Sequence, residues 1–467
     1  MDDSHLQPKM RPGIRVSHSV PARRIKSEDF RDRAFLVVGV LAFEVVFHVA
    51  YVRWLFPVFG YTGFNYIPLR GIYVIAPFVF GVIPALWMPI RFTRPSQFFY
   101  WTLYLVVYLP SDFALMYAGL SSSSRACAVI GALFLGLAVM GLPYLLPLIP
   151  LRRRPISGAL FWRLIALATI GMTLWVLVFF HGRMRLVTFD QVYSELRFDS
   201  ADLTEGSNIG YAVMWLATVI NPLFMAWGLC HKRLPQKVLL FMAGAGGQVL
   251  LYSTAGLKSD VLSVVVLLAV YCALRRHLAI AGLIFTWMAA LCITVTLLGT
   301  YFFNSPLAFL IAALVLARTF GIPGLTTALY DNFFADHPTT LYSHVHGISS
   351  LIRYPYTDSI GQEVGYYFFG DPRNNANANL WAVDGLAAFG IRGIVLVSVL
   401  CAIVFWILDS VTPRRQILFA VLLISYASIN LANVSLFTTL ITGGLLFQIV
   451  ILYILPAPSA ATRIDTC

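Results

Sequence analysis

Apolar residues in this chain fall into long blocks separated by short polar turns, and most blocks have the length a helix needs to cross a bilayer, about 20 residues. Twelve such segments can be placed, near 34–57, 71–89, 98–119, 126–149, 158–180, 209–230, 236–254, 261–274, 278–299, 391–408, 416–433 and 437–455. The eighth is the shortest. One stretch breaks the pattern: the 91 residues from 300 to 390 carry Arg318, Asp331, His337, His344, His346, Arg353, Asp358, Glu363, Asp384 and a run of asparagines at 374, 375, 377 and 379. No lipid-facing segment would hold such an inventory, so chemistry is sought there. Inside it, the apolar run at 307–316 is about half of a span and reads as a re-entrant or interfacial helix. A true span at that point would invert every later segment. Pro323, Gly324, Pro338, Pro355, Gly361, Gly370 and Pro372 are expected to cut the remainder into short helices lying on the membrane.

The chain thus divides into a basic tail (1–33), nine helices with an outer loop at 181–208 (34–299), the large outer loop (300–390), and three closing helices with a short tail (391–467). Composition agrees with this all-α polytopic reading, with 59% hydrophobic residues, 12% charged and a mean hydropathy of +0.78. Soluble domains carry about twice that share of charge. The net charge of +12 would suit nucleic acid, but its distribution points elsewhere. Lysines and arginines crowd the N-terminal tail and alternate turns: Arg91 and Arg94, Arg152 to Arg154, Lys232, Arg233 and Lys237, Arg275 and Arg276, Arg414 and Arg415. The short turns between hold only Arg70, Arg125 and Lys258. This alternation is the positive-inside pattern; it predicts both termini in the cytoplasm and the 300–390 stretch outside. No cleavable signal peptide is expected. Five of the six cysteines sit in or beside apolar segments, none forms a CxxC pair, and Cys467 makes no prenylation box, so neither a disulfide framework nor a zinc cluster is expected.

Outer-side cations come first among the candidate residues, because each opposes the charge bias. Arg197 in Tyr193-Ser-Glu-Leu-Arg197, Lys258 in Gly256-Leu-Lys258-Ser-Asp260, Arg318 and Arg353 form one group. A guanidinium fork suits phosphate or diphosphate, and an ammonium serves as a point charge; the plain alternative for each is a snorkelling contact with lipid phosphate. Glu363, Asp358, His344 and Asp384 are candidates for a base that would take a proton from a sugar hydroxyl, set against capping or ion-paired roles. His337, His344 and His346 lack a fourth ligand at motif spacing, so no metal is expected. Tyr330, Phe333, Phe334 and residues 366–369 fit either an aromatic belt or platforms for sugars. Within the apolar blocks, Glu44 with His48 and Asp112 are functional suspects, although Glu44 and His48, four apart, could simply satisfy each other. There is no P-loop, dinucleotide fingerprint or nucleophile elbow. The first outer loop, 58–70, has no acid, which disfavours the glycosyltransferases that use polyprenyl-monophosphate sugars.

In the large loop the order of pieces resembles a known family. Arg318-Thr-Phe-Gly-Ile-Pro-Gly324, Tyr330-Asp-Asn-Phe-Phe334, Ser343-His344, Arg353-Tyr-Pro-Tyr-Thr-Asp358, Ile360-Gly-Gln-Glu363, Tyr366 to Gly370, Asn375-Ala-Asn377-Ala-Asn379, Asp384-Gly385 and Phe389-Gly390 together resemble the oligosaccharide repeat-unit polymerases, the Wzy-type O-antigen and capsule polymerases. Tyr193 to Arg197 and the Gly256-Leu-Lys258-Ser turn are similar to that family's outer loop and Gly-Lys-Ser turn, and the likeness covers roughly the last 60% of the chain. Ala-Asn-Leu-Trp381 departs from the family pattern.

The resemblance implies a GT-C-like bundle in the bacterial inner membrane. Its enzyme would transfer a growing glycan from one undecaprenyl diphosphate to the lipid-linked repeat unit on another. It implies no cofactor, metal or nucleotide; the bilayer and the two lipid-linked oligosaccharides are the partners, with a chain-length regulator as a further candidate. On this reading Arg197, Lys258, Arg318 and Arg353 hold the diphosphates. Glu363 is the favoured base, ahead of Asp358 and His344, while Tyr330, Asn375, Asn377, Asn379 and Asp384 bind sugars. The competing readings are an O-antigen ligase and a lipid-linked oligosaccharide flippase or other transporter, the last disfavoured by the absence of internal repeats.

Overall fold

The computed structural model describes residues 22–151, 153–185, 207–256, 258–303, 305–345 and 347–456, and among these every regular element is a helix. Nine helices among the described residues are long and apolar enough to cross a membrane: Phe30–Thr62, Ser96–Tyr117, Ser123–Leu145, Gly158–Phe179, Ile209–Cys230, Leu234–Thr254, Leu278–Phe302, Pro306–Asp336 and Ile391–Val411. The chain is therefore a membrane protein whose described residues form only helices as regular elements. Four of the twelve expected segments hold shorter helices: Ala76–Leu86, Lys258–Leu274, Ile417–Leu431, and a last one broken into Leu436–Leu440 and Leu445–Ile454. That last break falls at Gly444, whose φ of 72° suits a residue without Cβ. Arg197, His346 and most of the 181–208 loop lie outside the described residues.

Local chemistry explains the helix ends. Ser122, Ser157, Ser305 and Ser435 accept a backbone N–H of the turn that follows them. Gly256 and Gly370 close helices in the left-handed conformation, with φ of 62° and 68°. Four of the five π-helical segments among the described residues, Tyr51–Leu55, Leu103–Tyr108, Leu216–Ile220 and Ala313–Gly321, end two residues before a proline, Pro57, Pro110, Pro222 and Pro323, and only Trp381–Leu386 does not. A proline ring crowds the carbonyl of the preceding turn and offers no N–H, so the helix widens there. The freed carbonyls find new donors: Gln248 bonds Ala217 O at 2.7 Å and Gln448 bonds Thr218 O at 2.7 Å.

Basic turns gather at one end of the bundle and cap helix carbonyls there. Arg33 donates to Ala85 O and Met88 O, Arg94 to Pro143 O and Leu146 O, and Arg153 to Leu452 O and Leu455 O.

The helix Pro306–Asp336 departs from the expected short pieces. It is one element of 31 residues, which drawn straight would run about 46 Å. Its neighbours show that it bends. Phe309 packs on Trp54 and Phe59, at the end of the bundle where Tyr51 meets Tyr117. Phe320 packs on Phe43, which lies about 16 Å of helix below Trp54. From there the chain climbs again: Thr327 meets Ser111 at 3.0 Å, and Asp331 meets Ser121 and Arg125 in the turn beyond Tyr117. The segment enters and leaves at the same end, as a re-entrant element does. The π turn at 313–321 with Pro323 and Gly324 supplies the bend. Pro323 and Gly324 were expected to break the chain; inside a packed bundle they flex the helix instead, because neighbouring groups hold both halves. Gly324 is required by contact, since a Cβ there would lie 2.5 Å from the Pro110 carbonyl carbon.

Candidate functional site

Beside the end of the bundle where Asp331 sits, residues of the segments 337–345 and 347–390 border a cavity of about 520 Å³. Its wall includes Tyr330, His344, Tyr354, Asp358 and Asn377, with Ser343, Ser435 and Thr438 among the hydroxyls. Several separate segments supply these groups.

The first is the turn at 340–345. Leu341 and Tyr342 take left-handed backbone angles, φ 49° and 63°, an uncommon state for residues with a Cβ. Thr340 N and Leu341 N bond Ala387 O and Ala388 O, and Tyr342 meets Phe389 and Phe437 edge to face. The turn is thereby folded so that Thr340 Oγ1 sits 2.9 Å from His344 Nδ1. On its other side His344 Nε2 lies 3.2 Å from Asp384 Oδ1. Asp384 is fully buried, and its second oxygen accepts the backbone N–H of Leu436. Burial pushes the Asp384 carboxyl above the ordinary value, while His344 and the Leu436 N–H pull it back. Thr340 Oγ1 also lies 3.2 Å from Ala387 O, so its single hydrogen goes either to that carbonyl, with Nδ1–H donating to Oγ1, or to Nδ1; in both arrangements Nε2–H donates to Asp384. Both imidazole nitrogens are then engaged inside the protein.

The helix Ile360–Phe369 forms another wall. Ser359 and Gln362 make a capping box at its start. Gly361 and Gly365 face the asparagine run closely, with Ala376 N bonding Gly361 O at 2.8 Å. Asn377 reaches the cavity, and Asn375 is exposed beside Gly361. Asn379 is fully buried: its Nδ2 donates to Pro323 O and Thr327 Oγ1, and its Oδ1 accepts from Trp381 N and Ala382 N. It ties the bend of Pro306–Asp336 to the helix that carries Asp384. Tyr330 borders the cavity, almost fully buried, with its hydroxyl donating to Ala376 O.

The favoured base, Glu363, is occupied. Its Oε1 accepts from Thr357 N, Thr357 Oγ1 and Asp358 N, so it shapes the 357–358 turn and is not part of the cavity wall. Asp358, on that turn, does line the cavity. None of Lys258, Arg318 and Arg353 is part of this wall, and Arg197 lies outside the described residues. Arg318 and Arg353 are exposed; Lys258 opens its helix after the left-handed Gly256. Tyr366 and Tyr367 are exposed on Ile360–Phe369, away from the cavity.

Two relationships were hidden in the sequence. Asp331, fully buried, pairs with Arg125 at 2.8 Å, across 206 positions. In the bundle Glu44 and His48 do not satisfy each other: His48 Nδ1 pairs with Tyr117 OH at 2.8 Å, and Glu44 packs against Gly81. The carboxyl oxygens of Glu44 and Asp112 are buried without a hydrogen-bond partner among the described residues. Four-residue spacing put Glu44 and His48 on one face, but the rings around His48 turned it toward Tyr117. No group of three or more metal-ligating side chains occurs among the described residues.

No protein-family model, curated protein or solved structure matches this chain.

Proposed function

We propose that the chain is a membrane glycosyltransferase of the repeat-unit polymerase type, joining undecaprenyl-diphosphate-linked oligosaccharides outside the cytoplasmic membrane. The GT-C-like architecture, the inner-membrane location and the cytoplasmic termini belong to the same proposal. The observation that carries it is the 520 Å³ cavity, whose wall of hydroxyls, an asparagine, tyrosines and one carboxylate suits the hydroxyls of a sugar and lies at one end of the bundle.

In the reaction, an acceptor hydroxyl oxygen attacks the anomeric carbon of the donor glycan. The bond from that carbon to the diphosphate oxygen breaks, the diphosphate leaves with the electron pair, and the hydroxyl proton passes to a base. We assign Asp358 as the base, because it borders the cavity, whereas Glu363 lies outside the wall with Oε1 holding the 357–358 turn and both ring nitrogens of His344 are engaged within the protein. His344, held by Thr340 and Asp384, is a positioning residue for the cavity wall. Asn377 and Tyr330 are assigned to the sugar; Asn379 and Glu363 are assigned to holding the wall in shape. Diphosphate binding by Arg197, Lys258, Arg318 and Arg353 rests on the family resemblance rather than on the cavity.

The test is complementation of a strain from which the gene is deleted, with its lipopolysaccharide or capsule resolved on a gel. Deletion should leave single repeat units, wild type should restore the ladder, and Asp358→Asn should not. Wild-type chain lengths from Asp358→Asn would remove it as the base. A deletion strain that still polymerises would reject the function, and one lacking any surface repeat would favour a ligase or flippase.

A further inference from the structure

The opposite end of the bundle holds a larger cavity, about 770 Å³, which the proposed reaction does not use. The two cavities are separated by the helix Ile391–Val411, about 30 Å long: Asp384 precedes its start, while Asp409 near its end and Thr412 just after it line the second space. Three guanidinium-bearing residues, Arg94, Arg414 and Arg415, also line it.

We infer that this cavity binds a phosphate group. Its charge is three cations against one carboxylate, and that carboxylate is already committed. Asp409 Oδ1 accepts Ser96 N and Oδ2 accepts Ser96 Oγ, so it is turned to the start of the helix Ser96–Tyr117. Arg94 is fixed by bonds to Pro143 O at 2.7 Å and Leu146 O at 2.9 Å, which spend donors but leave its charge in place. Arg414 and Arg415 are exposed, and neither is in an ion pair with a described residue. They form the turn leading into Ile417–Leu431, a helix of 15 residues whose positive end borders the cavity at Gln416, Ile417 and Leu418.

A second observation points to a bound group: Gln416, only 2% exposed, has a buried side-chain Oε1 without a hydrogen-bond partner. A phosphate ester bearing a hydroxyl, or a protonated phosphate, would supply that donor while the guanidinium forks take the charged oxygens. Leu148, Leu278 and Leu418 give the same space apolar walls, which suits a phosphate carried by a lipid as well as a free one. The inference stands apart from the glycosyltransferase reading and survives its failure.

The test uses the full chain in dodecyl maltoside micelles, a matrix that carries no phosphate, with phenylglyoxal as an arginine reagent and mass spectrometry to follow each site. Adding phosphatidylglycerol, or inorganic phosphate, should slow modification of Arg414 and Arg415 several-fold relative to Arg276, which is exposed at the same end but does not line the cavity. Protection by phosphatidylglycerol alone would identify a lipid headgroup, and protection by inorganic phosphate as well would identify a site open to the free ion. In native mass spectra, an Arg414→Ala/Arg415→Ala variant should retain several-fold less phosphatidylglycerol than wild type. The double lysine variant should fall between, because an ammonium keeps the charge and loses the fork. Equal modification with and without either phosphate compound, or equal protection of Arg276, would overturn the inference.

Discussion

Arg125 Nη2 lies 2.8 Å from Asp331 Oδ1, and this pair pins the last turns of Pro306–Asp336 to the turn that opens Ser123–Leu145. Ser121 Oγ takes the other carboxylate oxygen at 2.8 Å, so the buried acid is bonded on both sides. Removing the arginine leaves that acid without its counter-charge. Arg125→Ala should cost about 2 kcal/mol, less than a fully buried pair would, since the arginine side chain is 33% exposed. Thermal unfolding in detergent measures this. The Arg125→Ala/Asp331→Asn double variant should be more stable than the sum of the two single losses, and strict additivity would show that the pair does not couple.

The bend in Pro306–Asp336 predicts that its two flanks face one side of the membrane. With the six native cysteines replaced, Phe303→Cys and Asp336→Cys, both at exposed positions, should react alike with a membrane-impermeant maleimide in intact cells. A straight span would place them on opposite sides, so labelling of one and not the other refutes the re-entrant reading.

Gly324 sits where a methyl group would meet the Pro110 carbonyl, backbone that cannot swing aside as a side chain can. Gly324→Ala should therefore destabilise by about 1–3 kcal/mol and reduce the monodisperse fraction on size exclusion. Gly131, whose Cβ would meet nothing within 4 Å, is the control; equal behaviour of the two variants would mean that the close approach at Pro110 is relieved at no cost.

Asp384 predicts a pH dependence. Burial raises its carboxyl pKa in the folded protein above the unfolded value of about 3.9. The folded state therefore holds this proton to a higher pH than the unfolded chain, and stability falls as pH climbs from the unfolded value through the raised one. Below that window the contribution is constant. Melting midpoints of wild type should decline across it more steeply than those of Asp384→Asn, and parallel profiles would show that another group sets the slope.

The large polar stretch shows how far single residues could be read. Tyr330, His344, Asp358 and Asn377 were named from sequence, and all four border one cavity. Glu363 was named with equal reason, yet its carboxylate closes a turn six residues upstream. Asn379 belonged to the same asparagine run as Asn377, yet it faces inward to Pro323 O and Thr327. Nothing in residue type separates these outcomes, because each depends on which neighbour comes within about 3 Å after folding. Arg125 looked like an ordinary turn cation until Asp331 stood beside it.

The sequence alone determined that the chain lives in a membrane, where most of its helices lie, and which turns carry positive charge, because hydropathy and charge are sums over consecutive residues. Tertiary structure decided that Pro306–Asp336 doubles back, that several short helices complete the bundle, and that His344 meets Asp384 across 40 positions. Those outcomes are set by contacts between segments tens to hundreds of residues apart, where shape and hydrogen-bond capacity must be met by partners that no local pattern names.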